Sequence, residues 1–373
     1  MNPQVSIVRC KDYQPDLVEA GVRQAVGSLG GIAKFIKPNS KVLVKPNLLM
    51  AIEPEKGIDT HPEIVRSVIK LLKEINCEIF VGDGPSVWGN QAENVDDVYQ
   101  RSGIRPVCQQ EGVSLVKFEH KRWRKNFPLT TWLDNCDYLV SLPKFKTHDL
   151  TLLTGAVKNL FGLVWGTHKT ELHKKYFQPE EFNRILVDIY QEAKPALTIV
   201  DGITAMEGDG PATSGKLRDL GLIFAGVDCV AIDSVLAKIM GVRPEDVASI
   251  KEAVSRGIGC ADINAIEFPA EKLADVLPAR PFVLPQTSLK KKIPLLAAGI
   301  LKKLIKYYPV TLRENCIKCG ACVEACPNKV ISMRKRGVVF NYANCISCFC
   351  CQEACPAAAI KVGKSLFAKI IGL

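Results

Sequence analysis

Between residue 5 and about residue 270, short apolar runs alternate with longer segments whose apolar residues recur every three or four positions. The runs VSIVRC, KVLVKPNLL, EIFVGDG, VSLVKFE, DYLVSLPK, ALTIVDG and LGLIFAG read as strands covered on both faces. Between them, HPEIVRSVIKLLKEI sets Ile64, Val68, Leu71 and Leu72 on one side of a helix opened by Thr60 and Pro62. FNRILVDIYQEA and VAIDSVLAKIMG keep the same period, the second stopping at Gly241. This alternation predicts a large, mostly parallel α/β domain over residues 1–270, with ligands gathered at the carboxyl ends of its strands.

The pattern then changes. Pro269, Pro278, Pro281 and Pro285 interrupt it, and residues 271–309 read as a linker carrying a basic amphipathic helix. Ile293, Leu296, Ala297, Ile300, Leu301, Leu304, Ile305 and Tyr308 mark its apolar face, with Lys292, Lys302, Lys303 and Lys306 mostly opposite. Residues 310–363 form a small α+β domain, and KSLFAKIIGL, within the tail 364–373, is a second basic amphipathic piece. Both pieces either pack on the folded domains or reach a membrane surface or partner protein through residues 289–308 and 364–373.

A chain of 373 residues with 47 % hydrophobic and 24 % charged content fits two globular domains. Its net charge of +10 is concentrated partly in residues 289–308, so nucleic acid is not an expected partner. The first residues lack a secretory pattern and no apolar run approaches the roughly 18 residues of a spanning helix, so the expected location is a reducing cytoplasm. Of 15 cysteines, nine lie between residues 316 and 355. Cys10, Cys77, Cys108, Cys136, Cys229 and Cys260 are isolated, which argues against a disulfide framework.

The nine contain Cys-x2-Cys-x2-Cys-x3-Cys-Pro twice, as Cys316, Cys319, Cys322, Cys326, Pro327 and as Cys345, Cys348, Cys351, Cys355, Pro356. Soft thiolates at this spacing hold iron in 4Fe-4S clusters, and the fourth cysteine of each run serves the other cluster. Cluster one is thus assigned to Cys316, Cys319, Cys322 and Cys355, and cluster two to Cys345, Cys348, Cys351 and Cys326. Cys350 is spare. Paired CxxC motifs also suit tetrahedral zinc, but the third cysteine and the Cys-Pro of each copy favour iron–sulfur. Residues 311–363 closely resemble bacterial-type ferredoxins with two 4Fe-4S clusters, a resemblance that implies one-electron transfer.

Three polar groups interrupt the apolar strands of the large domain. Lys45 and Asn47 follow a strand in VKPNLL; Lys144, Lys146, His148, Lys158 and Asn159 crowd into SLPKFKTHDLTLLTGAVKNLFG; Asp201, Glu207 and Asp209 lie in VDGITAMEGDGPATSG. A lysine near buried strand ends is costly unless it meets an anion, so these residues either pair with one another or bind an unidentified anionic ligand. Lys144, His148 and Lys158 are the candidate catalytic residues, His148 as a general base. Lys45, Asn47, Lys146, Asn159, Asp201 and Glu207 are the candidate cofactor-binding residues. His168 and His173 stand five apart, a poor metal spacing. Neither a P-loop, nor a dinucleotide glycine motif, nor a serine elbow is present.

The large domain resembles the family called domain of unknown function 362. VLVKPNLL, THPEIVRSVIKLLKE, VGDGPS, LPKFKTHDLTLLTGAVKNLFGLV, VDGITAMEGDGPATSG and DCVAIDSV carry the match over about residues 5–265. Fusion to a ferredoxin-like tail is known in that family, whose label implies no settled reaction. Two functions are therefore expected to compete. In one, an oxidoreductase passes electrons from its clusters to a small-molecule substrate or cofactor in the large domain. In the other, a non-enzymatic electron carrier or assembly factor docks a redox partner protein there.

Overall fold

The computed structural model describes residues 2–85, 95–288, 306–335 and 337–370. In chain order the large domain presents β1 (Val5–Arg9), β2 (Lys41–Pro46), β3 (Glu78–Val81) and β4 (Ser114–Leu115). A separate hairpin follows, β5 (Lys121–Arg124) with β6 (Phe127–Thr130), and then β7 (Tyr138–Leu142), β8 (Lys144–His148), β9 (Leu152–Thr154), β10 (Leu197–Gly208) and β11 (Gly215–Gly226). The main sheet runs β1-β11-β10-β7-β2-β3-β4, with β8 against β10 and β9 against β8. From β10 through β7, β2 and β3 to β4 the pairing is parallel, as is β8 with β10. β1 and β9 are antiparallel to their neighbours, and β10 pairs antiparallel with β11.

Continuous apolar runs form the inner strands because both faces are covered. Leu43 enters one core with Phe182 and Leu186 of the helix Pro179–Ala193 and Val235 of the helix Cys229–Met240. Val42 and Val44 face the other core, with Val22 of the helix Pro15–Ser28 and Ile64 and Val68 of the helix Pro62–Lys73. Each such side chain contributes about 1.5–3 kcal/mol on burial.

Residues 271–288, expected as linker, pack instead against the large domain: Leu273, Val276 and Phe282 enter its first core, and Phe282 stacks on Phe145 at 5.2 Å. The prolines shape an irregular wrap, because these apolar side chains have a core to join. Of the basic helix expected over 289–308, residues 289–305 lie outside the described residues. Its last apolar position, Tyr308, falls in a strand, β12 (Tyr307–Thr311), which pairs with β15 (Ile360–Lys364), so the second domain begins before residue 310. Between them β13 (Ile331–Arg334) and β14 (Gly337–Phe340) form a hairpin. A short helix, Leu366–Ile370, then lays Ala368 against Tyr307, Phe349 and Val362 while Leu366 stays exposed.

The 29-residue sequence repeat is also a backbone repeat. Lys318 and Ser347, Gly320 and Phe349, and Lys329 and Ala358 are equivalent positions, and all six have positive φ. The equivalent short helices Ala321–Glu324 and Cys350–Glu353 follow the second cysteine of each run. The second meets the large domain: Gln352 Nε2 donates to the Asp209 carbonyl at 3.2 Å, and Glu353 is buried. Thr213 and Ser214, between β10 and β11, donate to the Cys355 and Ile360 carbonyls at 2.7 and 3.2 Å.

Candidate functional site

Two sets of thiols converge. Cys316, Cys319, Cys322 and Cys355 line one small cavity, and Cys326, Cys345, Cys348 and Cys351 line another. The sets match the grouping expected from spacing, and Cys350 lines neither. Each set surrounds a space rather than a point: among the described residues no three metal-ligating side chains converge on a single ion. All-thiol donors around a cavity fit a 4Fe-4S cluster better than a lone zinc. Backbone amides of Val330 and Ala359 donate to Cys326 and Cys355 Sγ at 3.3 and 3.2 Å, bonds of the kind that tune a cluster's potential. Cys319 is exposed, whereas Cys351 is buried.

Beneath the second repeat lies a buried network of charge. Alternation along β8 puts Lys144, Lys146 and His148 on one face of the strand, and all three are buried. Lys144 Nζ lies 2.8 Å from Asp201 Oδ2 and donates to the Tyr13 hydroxyl, which in turn donates to Asp201 Oδ1 at 2.7 Å. Lys45, at the end of β2, pairs with Asp83 at 2.7 Å and donates to Asn159 Oδ1 at 3.1 Å. Asn159 donates in turn to Ser141 Oγ at 2.9 Å. Lys146 donates to the Ile58 carbonyl at 2.6 Å, and Lys169 donates to the Gly84 carbonyl.

Lys158 and Asn159 ride on the short helix Ala156–Asn159, held by Asp233, which accepts from the Ala156 and Val157 amides at 2.6 and 3.1 Å. Gly155 is required there, since a Cβ would lie 2.1 Å from Asp233 Oδ1. Gly162 is required for the same reason, its Cβ position being 2.2 Å from Asp83 Oδ1.

Burial sets the protonation tendencies. It lowers Lys45, Lys144 and Lys158, opposed chiefly by Asp83, Asp201 and Glu353 respectively. It lowers Lys146 to about 7 and raises Asp59 to about 7, each partly restrained by the other. Lys169 falls to about 8 through burial, against the pull of Asp83. Burial, then Lys158, holds His148 well below its ordinary range. Its Nδ1 accepts from the Leu150 and Thr151 amides at 3.0 and 3.4 Å, so the proton belongs on Nε2. That nitrogen lies 3.2 Å from Glu353 Oε1, off the line a hydrogen bond needs. Burial raises Glu353, with Lys158 and Lys146 opposing.

The structure thus gathers Lys45, Lys144, Lys146, His148, Lys158, Asn159 and Asp201 at the strand ends. Asn47 joins them partly buried, with Oδ1 unpartnered among the described residues. Glu207 points elsewhere: Arg218 and Arg280 each approach it at 2.8 Å, fastening residues 280–283. Asp209 likewise holds the Gln286 side chain and amide. His168 meets Glu171 near the surface, whereas His173 is buried and stacks on Phe182, so the two form no pair.

Sequence reasoning missed Tyr13, Asp59, Asp83 and Lys169, and above all Glu353. VGDGPS drew notice as a motif without a partner for its aspartate. Glu353 was hidden inside the cysteine array, where only its equivalent Glu324 offered a comparison.

Next to this network, between the domains, is a cleft of about 810 Å³. Asp149, Leu150 and Leu152 of the turn after β8 form one wall, and Tyr307, Tyr342, Cys345, Ser347 and Phe349 form another.

The family model described as domain of unknown function (DUF362) matches residues 42–238, and one for a 4Fe-4S dicluster domain matches residues 315–359. The thylakoid-associated protein sll1697 of Synechocystis sp. is 31 % identical over 302 residues, covering 77 % of this chain and 92 % of that protein. The lactate racemase apoprotein from Thermoanaerobacterium thermosaccharolyticum aligns over 61 % of this chain and 54 % of its own, at 14 % identity and a TM-score of 0.38. No helix among the described residues is long and apolar enough to cross a membrane. With its strand-end motifs, its dicluster tail and a relative matched over nearly its whole length, the chain is an iron–sulfur protein that belongs to the DUF362 family.

Proposed function

We propose that this protein is an iron–sulfur oxidoreductase whose substrate binds in the interdomain cleft. The observation that supports this reading is that Cys345, of the second thiol set, and Asp149, beside the buried lysine network, line the same cavity. Bound at their thiols, 4Fe-4S clusters supply one-electron transfer. The exposed side at Cys319, with Ile317 66 % exposed, suits a donor protein. The buried side faces the cleft.

In this reading the lysines seat the second domain rather than hold the anionic ligand their sequence suggested. Lys45 and Lys144 are ion-paired with Asp83 and Asp201, and Lys146 donates to the Ile58 carbonyl, so these three are already engaged and an anion gains little from them. His148 acts there as a neutral positioning group, its Nδ1 tied to the turn that forms the cleft wall.

The test is reoxidation of the dithionite-reduced, desalted holoprotein, followed at 400 nm with quinone, flavin and nitroaromatic acceptors. Gln178, exposed at the cleft, is replaced by Trp to narrow it. The expected result is at least one acceptor whose rate falls several-fold in Gln178→Trp while ferricyanide, a small acceptor able to react at Cys319, is unaffected. Equal rates for every acceptor overturn the reading in favour of a simple electron carrier.

A further inference from the structure

The cleft's lining narrows the chemistry of its occupant. Phe177, Tyr308, Tyr342 and Phe349 supply aromatic surface, which favours a flat ring. Two further lining side chains are at least nine-tenths buried and carry an oxygen with no hydrogen-bond partner among the described residues: Tyr307, through its hydroxyl, and Asp149, through Oδ2. A buried polar atom without a partner is costly, so a ligand that meets it is stabilised. Burial, then Asp209 and Glu353, raises Asp149 well above the ordinary carboxylate range, with Thr287 and Gln352 opposing. Protonated Asp149 and the Tyr307 hydroxyl are both donors, and donors call for an acceptor such as a carbonyl oxygen.

A phosphate-bearing cofactor fits poorly. Lys306 is the one cation among the described residues that line the cleft, and the helix that starts there at Pro179 carries Glu180 and Glu181 in its first turn, which repel an anion from its amino end.

We infer that the cleft takes a quinone, a neutral planar ring with carbonyl oxygens, as the acceptor of electrons arriving at the Cys345 side. This rests on the oxidoreductase reading above. Reduction to the hydroquinone turns both C=O groups into C–OH and takes two electrons and two protons. Clusters held by the two thiol sets would supply the two electrons one at a time, with a one-electron donor protein at the Cys319 side to refill them. One proton comes from the Asp149 carboxyl, which is reprotonated from solvent. The other comes from water at the cleft mouth near Lys306. Tyr307 hydrogen-bonds a carbonyl and keeps its own proton, since burial raises its hydroxyl.

Equilibrium dialysis of duroquinone against the oxidised holoprotein tests binding without turnover. One duroquinone is expected per chain, with binding weakened about tenfold by Tyr307→Phe, the loss of one hydrogen bond. Asp149→Asn keeps a donor and is expected to bind duroquinone almost as wild type does, yet to reduce it more than tenfold more slowly. Iron and sulfide content serve as the control for folding. Absence of duroquinone binding, or equal binding and reduction by wild type and both variants, overturns the quinone assignment. If another acceptor still shows sensitivity to Gln178→Trp, the cleft remains the electron outlet and only its occupant is wrong. If no acceptor does, both readings fall.

Discussion

The two halves of the ferredoxin-type domain repeat one motif, yet they differ where it matters. In the first copy the short helix ends in Glu324, which faces solvent; in the second the equivalent Glu353 is buried over Lys158 and His148. Gly320, Ala321 and Val323 become Phe349, Cys350 and Gln352, and the last three are buried in the second copy. Cluster chemistry needs the cysteines in both copies, so the residues between them are free to diverge. Their divergence marks which copy is docked.

The largest effect expected to test this contrast is on stability. Glu353→Ala empties a buried position beside His148 and should cost about 2–4 kcal/mol through the cavity it leaves, whereas Glu324→Ala, on an exposed turn, should change stability by less than about 0.5 kcal/mol. Urea unfolding of the anaerobic holoproteins separates the two. Similar losses would mean that both copies bear on the fold alike.

The seat beneath the docked copy should also respond to pH. Asp59, raised to about 7, binds a proton in the folded chain that the unfolded chain releases near pH 4, so unfolding free energy falls as pH rises from about 4 to 7. Lys146, lowered to about 7, acts oppositely: the unfolded chain holds more protons from about pH 7 to 10.5, and stability recovers. A minimum near pH 7 follows, at most about 4 kcal/mol deep for a shift of this size. Asp59→Asn should remove its acid limb. A wild-type profile that the variant reproduces unchanged would exclude Asp59 as the cause.

Smallest is the effect of the extra thiol. Cys350→Ala, which restores the alanine of the first copy, should cost less than about 1.5 kcal/mol and leave iron and sulfide content at two clusters per chain. Loss of iron would make Cys350 a ligand and redraw the second set.

The strands and the thiol sets were legible in the sequence because their signals are local. Val42, Leu43 and Val44 announce a strand covered on both faces, and three cysteines in seven residues already imply one shared site. The lysine network was legible only by half. Lys144, Lys146 and His148 share a strand face and could be grouped, but Asp83 lies 38 residues from Lys45 and Glu353 lies 205 from His148, distances over which spacing carries no information. Proline misled in the other direction, since residues 271–288 read as a free connection until Phe282 had Phe145 to stack on.

The hydroxyls of Thr213 and Ser214 hold the second domain by the main-chain carbonyls of Cys355 and Ile360. Those carbonyls are properties of the backbone, and any module that kept this fold would present them whatever its side chains. Whatever selects one module over another must therefore come from side chains, and among the described residues Gln352 and Glu353 are two that reach the large domain.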